Sequence, residues 1–220
     1  MKIDILTLFP EVIKPFLESS MIKRAQEEGY ISINLINFRD YSLDKFKRVD
    51  DTPYGGGRGM ILMIEPLVRA LKSIKKEDSL VILMSPQGEK YSQKKAFELS
   101  KHKHLIIICG HYEGVDERIK NYIDLELSIG DYILTGGEIP ALVLIDTITR
   151  LSGILDKEVV EEETFSSDIF DYPVYTRPKE FEGFEVPDVL LSGDHKKIEK
   201  WRREEAIRNT NLRRNDDINK

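Results

Sequence analysis

Two runs of consecutive apolar residues, Leu80-Val81-Ile82-Leu83-Met84 and Leu105-Ile106-Ile107-Ile108-Cys109, constrain the fold more than any other feature of this chain. A strand with no polar alternation has no face to offer water. The pattern is that of parallel strands covered by helices on both sides. Segments of helical period alternate with these runs. Residues 65–76 open with Pro66 in the first turn, residues 92–101 are amphipathic, and residues 137–151 form a long apolar stretch. Residues 3–9 and the alternating Ile31, Ile33 and Leu35 read as strands on the N-terminal side, and residues 125–129 as a third strand beyond the two runs. Pro10 opens one helix, and Ser19 or Ser20 caps a second that ends at Gly29. The alternation predicts an α/β domain over residues 1–155.

The pattern stops at residue 156. Residues 156–188 hold eleven acids and three bases, whereas residues 195–214 hold eight bases and three acids. Residues 156–172 therefore read as an acidic interdomain linker, mobile without a ligand. Residues 173–220 read as a small helical unit whose main helix spans about 196–208. The net charge of −6 opposes indiscriminate nucleic-acid binding, yet the C-terminal stretch supplies a local basic patch. One cysteine, Cys109, allows neither a disulfide framework nor a four-cysteine zinc site. No segment has the apolar length to span a bilayer, and the N-terminus lacks signal-peptide character. A cytoplasmic protein without a membrane partner is expected.

Three glycine-bearing segments follow the expected strands: Ser85-Pro86-Gln87-Gly88, Gly110-His111-Tyr112-Glu113-Gly114, and the 128–137 stretch from Ser128 to Gly137. Ligands of open α/β sheets bind at the carboxyl ends of strands, and glycine lets a ligand approach the backbone closely. Neither P-loop spacing nor GxGxxG is present, so a nucleoside triphosphate or a dinucleotide is a poor fit. A compact ligand such as the adenosine part of a cofactor fits better. His102, His104, Cys109 and His111 match no metal-binding spacing, and no metal site is expected. Residues 39–60, polar with Pro53 and four closely spaced glycines, form a loop long enough to be functional.

Taken together, the motifs are specific. The 50–60 block Asp50-Asp51-Thr52-Pro53-Tyr54-Gly55-Gly56-Gly57-Arg58-Gly59-Met60, the three glycine segments, Tyr175-Thr176-Arg177-Pro178, the 189–195 stretch and Trp201-Arg202-Arg203 occur in order. Over almost its whole length the chain resembles the bacterial tRNA (guanine-N1)-methyltransferases of the SPOUT superfamily. The resemblance implies a parallel α/β sheet with a trefoil knot between about residues 80 and 151. It also implies a homodimer with active sites shared between subunits, and S-adenosylmethionine as methyl donor. The implied substrate is tRNA with guanosine at position 37. By motif, the implied cofactor pocket takes Leu83 and Pro86 from the first segment and Gly110, Tyr112, Glu113 and Gly114 from the second. Ile129, Gly130, Tyr132, Leu134, Gly136 and Gly137 come from the third, with Pro140 beyond it. Magnesium dependence is also implied, without a dedicated ligand cluster.

Guanine N1 carries a proton, so methylation needs a base, and the charge that spreads to O6 needs a donor. The resemblance puts the guanidinium at Arg150. The base aligns with Glu163, where the family has aspartate, or with a second acid at Asp171. Asp168 stands where the family has glycine. Asp50 and Gly59 are expected in the guanine pocket, and Lys197, Arg202 and Arg203 on tRNA phosphates. A SPOUT enzyme acting on ribose or ribosomal RNA is the alternative disfavoured by the 50–60 and 175–178 blocks. A non-catalytic RNA-binding protein is disfavoured by the presence of Arg150 and the glycines.

Overall fold

The apolar runs become the centre of a five-stranded parallel sheet. The computed structural model describes residues 1–156 and 169–218, with side chains to residue 212. The chain divides into two units, Met1–Asp156 and Lys157–Lys220. In the first, β1 (Lys2–Thr7), β2 (Ser32–Asn37), β5 (Ser79–Lys90), β6 (His104–Cys109) and β7 (Leu125–Ser128) lie in the order β2-β1-β6-β5-β7. Every pairing between neighbours is parallel. A separate antiparallel pair joins β3 (Asp50–Asp51) to β4 (Ile61–Leu62).

All six residues of β6 are buried, and its side chains divide between two cores. Leu105, Ile107 and Cys109 pack with Ile13 and Leu17 of α1 (Pro10–Leu17), Ile22 of α2 (Ser20–Glu27), and Leu144, Ile145 and Ile148 of α5 (Glu138–Thr149). Ile106 and Ile108 pack on the other face with Leu67 and Leu71 of α3 (Ile64–Ile74) and with Phe38, Val49 and Leu62. Burying each such side chain contributes about 1.5–3 kcal/mol. A polar residue at any position from Leu105 to Cys109 would meet a core whichever way it pointed.

In the first unit the structure departs from the sequence reading chiefly in three places. First, Ser85-Pro86-Gln87-Gly88 is not a loop beyond a strand but an excursion within β5. Met84 and Glu89 both pair with Leu127, and the four residues between them bulge out. Gly88 makes this possible, because a Cβ there would lie 2.5 Å from the Glu126 carbonyl. Second, the polar stretch 39–60 begins within a 3₁₀ turn (Phe38–Tyr41), includes β3, and buries Val49 completely. Third, the helix expected to reach residue 151 ends at Thr149 and passes into a π-type turn, Arg150–Ile154. Gly153, at φ 97°, supplies the left-handed residue that the turn needs.

The chain from β6 to β7 crosses past β5, which lies between them. It then comes back from β7 to the end of β6, where the Gly137 N–H donates to the Gly110 carbonyl at 2.8 Å. At the opposite end of the sheet a polar chain crosses four strands. Asn34 Nδ2 donates to Asp4 Oδ1 at 2.8 Å, and Lys2 Nζ to Oδ2 at 2.6 Å. His104 Nε2 meets Asp4 Oδ2 at 2.8 Å, while its Nδ1 meets the Ser79 hydroxyl at 2.7 Å.

The second unit holds a short helix, Asp188–Leu191, and a long one, His195–Ile218, with a hairpin pairing Glu180–Phe181 and Phe184–Glu185. The long helix runs ten residues past the expected end at 208. Asp194 Oδ1 accepts from the Lys197 N–H and caps its start. Thr210 Oγ1 accepts from the Phe170 N–H, and Asn209 donates to the Asp171 carbonyl, so helix residues beyond 208 hold the segment entering the unit. Residues 157–168, most of the expected linker and Glu163 with it, lie outside the described residues.

Burial pushes the Asp4 carboxyl up, but the hydrogen bonds from Lys2, Asn34 and His104 outweigh it and hold the pKa below the ordinary value. Its contribution to stability is therefore complete above about pH 4 and is lost as pH falls through the lower folded-state pKa. Asp4→Asn should cost about 1–3 kcal/mol at pH 7. Urea unfolding of both proteins between pH 7 and pH 2.5 should show that gap narrowing at the acid end.

Candidate active site

The carboxyl ends of β5, β6 and β7 open into one cleft of about 560 Å³. All thirteen positions named above for a cofactor pocket line it, from Leu83 and Pro86 through Gly110 to Gly137 and Pro140. Three local devices bring them together. The β5 excursion swings Ser85, Pro86 and Gln87 outward at one wall. Tyr112 at φ 59° and Gly114 at φ 129° turn the second segment sharply back. The third segment is stapled beside it by the Gly137–Gly110 hydrogen bond and a bridge between His111 and Gly136.

That staple explains one glycine in particular. A Cβ on Gly137 would lie 2.7 Å from Cys109 Cα and 2.8 Å from the Gly110 nitrogen, both backbone atoms that cannot swing aside. The missing Cβ of Gly136 leaves room for Glu138 Oε2 and the edge of the His111 ring. Glu138 is itself buried, at 5% exposure, and accepts from the Thr7 hydroxyl at 2.7 Å. It stands in the first turn of α5, where the helix dipole favours a carboxylate.

His111 and Glu126 also line this wall, and neither is among the thirteen positions. The His111 ring lies 4.7 Å from Phe9 and 5.0 Å from Tyr112. Its Nδ1 is the one buried side-chain polar atom without a hydrogen-bond partner among the described residues. Glu126 also lines the cleft, 3.7 Å from Lys120. Alternation within a four-residue strand carried no signal for it. Cys109 is wholly buried, and burial together with the nearby Glu138 charge pushes its thiol well above the ordinary value. This is the opposite of what a thiolate nucleophile requires. His104 is held by Asp4 and Ser79. Among the described residues no group of three or more His, Cys, Asp or Glu side chains is placed to hold a metal ion.

The 50–60 block reaches the cleft through Glu113. The Glu113 N–H donates to the Met60 carbonyl at 3.0 Å, and the Leu62 N–H to the Gly114 carbonyl at 2.9 Å. Gly59, at φ 78°, lies directly against the Glu113 side chain. Asp50 pairs with Leu62 one strand further out.

Arg150 stands elsewhere in the first unit, at the C-terminal cap of α5. At 1.5 Å per residue it lies about 20 Å from Gly137 along the helix, and it does not line the cleft of its own chain. Asp171, Lys197, Arg202 and Arg203 belong to the second unit. There the Arg202 guanidinium lies 4.8 Å over the Tyr172 ring, and Lys197 pairs with Asp194 at 3.2 Å. No helix among the described residues is long and apolar enough to cross a membrane.

A parallel sheet with a glycine-walled cleft at its carboxyl edge defines a class of α/β enzyme that grips a small ligand largely through backbone. The tRNA (guanine-1)-methyltransferase TrmD family matches residues 1–220. The chain is 57% identical over 219 residues to a tRNA (guanine-N(1)-)-methyltransferase of Carboxydothermus hydrogenoformans, covering 98% of this chain and 87% of that protein. Proteins of the same name from Dictyoglomus turgidum and Mycoplasmopsis pulmonis are 53% and 52% identical, covering 100% and 98% of this chain and 91% and 96% of theirs. The chain belongs to the TrmD family of tRNA guanine-N1 methyltransferases.

Gly137→Ala should weaken S-adenosylmethionine binding at least about tenfold, because the third segment must move away from the end of β6. Titration calorimetry on a variant of unchanged circular dichroism measures this. Wild-type affinity would mean that the staple does not shape the cleft.

Proposed function

We propose that this chain methylates N1 of guanosine 37 in tRNA, with S-adenosylmethionine bound in the cleft. The observation that carries this reading is the convergence of all three glycine segments on one cleft at the strand ends. The cleft suits the donor in size and chemistry. Its volume is typical of a cofactor site. Leu83, Ile129 and Leu134 supply apolar surface for adenine, and the glycines leave backbone N–H and C=O groups open to a polar ligand. Glu113, also in the lining, is a carboxylate suited to a cationic group. When bound, the donor supplies a methyl group on a sulfonium.

The remaining chemistry falls to the chain's own side chains. The acidic segment supplies the base for the N1 proton, at Glu163 or Asp171. Arg150 donates to O6 as negative charge develops there. Asp50 and Gly59 border the guanine, and the Lys197, Arg202 and Arg203 face meets phosphate. The target base is flipped out, since A-form grooves hide base edges. No magnesium ligand is assigned: among the described residues no group of three or more His, Cys, Asp or Glu side chains is placed to hold a metal ion.

A second copy of the chain is part of this reading. With Arg150 about 15 Å along α5 from Pro140, the last residue of that helix to line the cleft of its own chain, it serves the cleft of a partner in a homodimer. Ile133 at 80% exposure and Ile139 at 51% are apolar side chains left to water in the single chain, as an interface with a second copy requires. The crossing of the β6–β7 connection and the return of 129–137 past β5 support a trefoil knot, in which the third segment threads the loop containing the first two. A reducing cytoplasm suits the lone buried Cys109.

Arg150→Ala should lower the single-turnover methylation rate by about a hundredfold or more, with cofactor affinity intact. Arg150→Lys should recover little of it, because an ammonium does not reproduce the planar donor fork. Transcripts with G or A at position 37, followed by nucleoside analysis, test the site and the atom modified. Mixing Arg150→Ala chains with Gly137→Ala chains should restore one working site per heterodimer; no recovery in verified heterodimers places both functions on one chain.

The base is tested separately. Glu163→Gln should cut turnover sharply without changing cofactor affinity, while Glu163→Asp keeps substantial activity. An active Glu163→Gln beside an inert Asp171→Asn assigns the base to Asp171.

A further inference from the structure

Residues 42–48, between the 3₁₀ turn and β3, hold a phenyl ring out in solvent with unusual care. Phe46 is 70% exposed and Leu43 79%. An exposed loop of seven residues has no need of fixed geometry, yet this one is bonded at nearly every position. Ser42 is buried at 4% exposure, and its hydroxyl donates to the Arg48 carbonyl at 2.6 Å. The Asp44 carboxylate accepts from the Phe46 N–H at 3.1 Å and from Arg48 Nε at 3.0 Å. The Lys47 ammonium donates to the carbonyls of Asp40 and Ser42, both at 3.1 Å, and Arg39 donates to the Lys47 carbonyl. Lys47 itself is held at φ 55°, a conformation that costs a non-glycine residue about 1 kcal/mol or more.

The surroundings of the ring indicate its partner. The Lys45 ammonium lies 4.7 Å from the ring centroid, against one face. A cation–π pair in water contributes little by itself. A phenyl with a base stacked on it and an ammonium beside a phosphate is, by contrast, the standard platform for single-stranded nucleic acid. Arg48 in the loop and Arg39 in the turn before it add guanidinium groups, the first paired with Asp44 and the second bonded to the Lys47 carbonyl. A second protein chain would be expected to cover a broader apolar surface, whereas here two apolar side chains stand among cations.

The loop is also tied to the cleft. Val49, the next residue, is wholly buried, and its carbonyl accepts from the Met63 N–H at 2.8 Å. Asp50 then pairs with Leu62, whose N–H reaches Gly114 in the cleft wall. A nucleotide held by the loop is thereby held in fixed relation to that wall.

We propose that the 42–48 loop is an RNA-binding subsite, in which Phe46 stacks on an unpaired base of the substrate tRNA and Lys45 contacts its phosphate. This rests on the tRNA-methylating reading above and specifies where a nucleotide outside the reacting guanosine is gripped.

The test uses the full chain with an unmodified tRNA transcript carrying G37. Phe46→Ala should weaken transcript binding about tenfold and raise KM for tRNA. The S-adenosylmethionine affinity and the rate at saturating tRNA should stay at wild-type values. Phe46→Trp should keep the affinity, and its added fluorescence should be quenched by the transcript beyond any response of the parent protein's Trp201. Lys45→Ala should lower the salt dependence of binding. Wild-type transcript affinity in Phe46→Ala would overturn the proposal, as would an unquenched indole in a tightly binding Phe46→Trp. A shift to monomer in Phe46→Ala with unchanged transcript affinity would assign the ring to a second copy of the chain and overturn it too. Failure of the wild-type chain to bind or methylate the transcript would defeat the underlying functional reading. A wild-type chain that methylates normally while Phe46→Ala binds equally well defeats only the subsite.

Discussion

The backbone contact between Gly137 and the end of β6 is the constraint on which the rest depends. One hydrogen bond, 2.8 Å from the Gly137 nitrogen to the Gly110 carbonyl, and a Cα-to-backbone approach that excludes any side chain bring two distant segments together. A single backbone hydrogen bond contributes only about 1 kcal/mol net. Its effect here is geometric. It turns two glycine-rich segments into opposed walls, and the β5 excursion supplies the third. Glu138 and Thr7 support the same corner from behind, so the start of α5, the end of β1 and the cleft share one buried polar contact.

The two ends of the sheet carry different burdens. At the amino ends, Asn34, Asp4, His104 and Ser79 link four strands through satisfied side-chain hydrogen bonds. At the carboxyl ends, polarity is left for the ligand: open backbone, Glu113, and a buried His111 nitrogen without a partner among the described residues. Buried polar groups that satisfy one another add rigidity, whereas those left open belong where a ligand can complete them. α5 links this edge to the proposed chemistry further away, since it begins at the cleft and ends at Arg150.

Much of the fold was legible. Leu80–Met84 and the β6 residues lack polar alternation, which only two-sided burial explains, and both became central strands. Pro10, Ser19 and Gly29 marked helix ends because their backbone preferences are local, although the Ser19 hydroxyl donates to the Phe16 carbonyl and makes no cap bond. Less legible was anything set by a neighbouring strand. Ser85–Gly88 reads as a loop because Pro86 and Gly88 are loop formers, yet β7 pairs with the chain on both sides of it. Val49 sits in the polar 39–60 stretch and Phe38 just before it, and neither lies in a run with a hydrophobic period, though both are fully buried. Glu126 and His111 gave no periodic signal, because a cleft wall is assembled from segments whose spacing in sequence is unrelated to their distance in space.

Beside the methyltransferase resemblance carried by the ordered motifs, composition and local pattern by themselves determined an α/β architecture, a change of character at residue 156 and three ligand-ready segments. These follow from hydrophobic period, turn chemistry and charge, all of which act over a few residues. Only the tertiary structure decided that the three segments meet in one cleft, that Gly137 rather than its neighbours sits against the β6 backbone, and that Arg150 stands most of a helix length from the cleft of its own chain. Those facts depend on strand order and on which connection crosses which strand. They are long-range contacts, fixed by the packing of the whole sheet and recorded in no single stretch of residues.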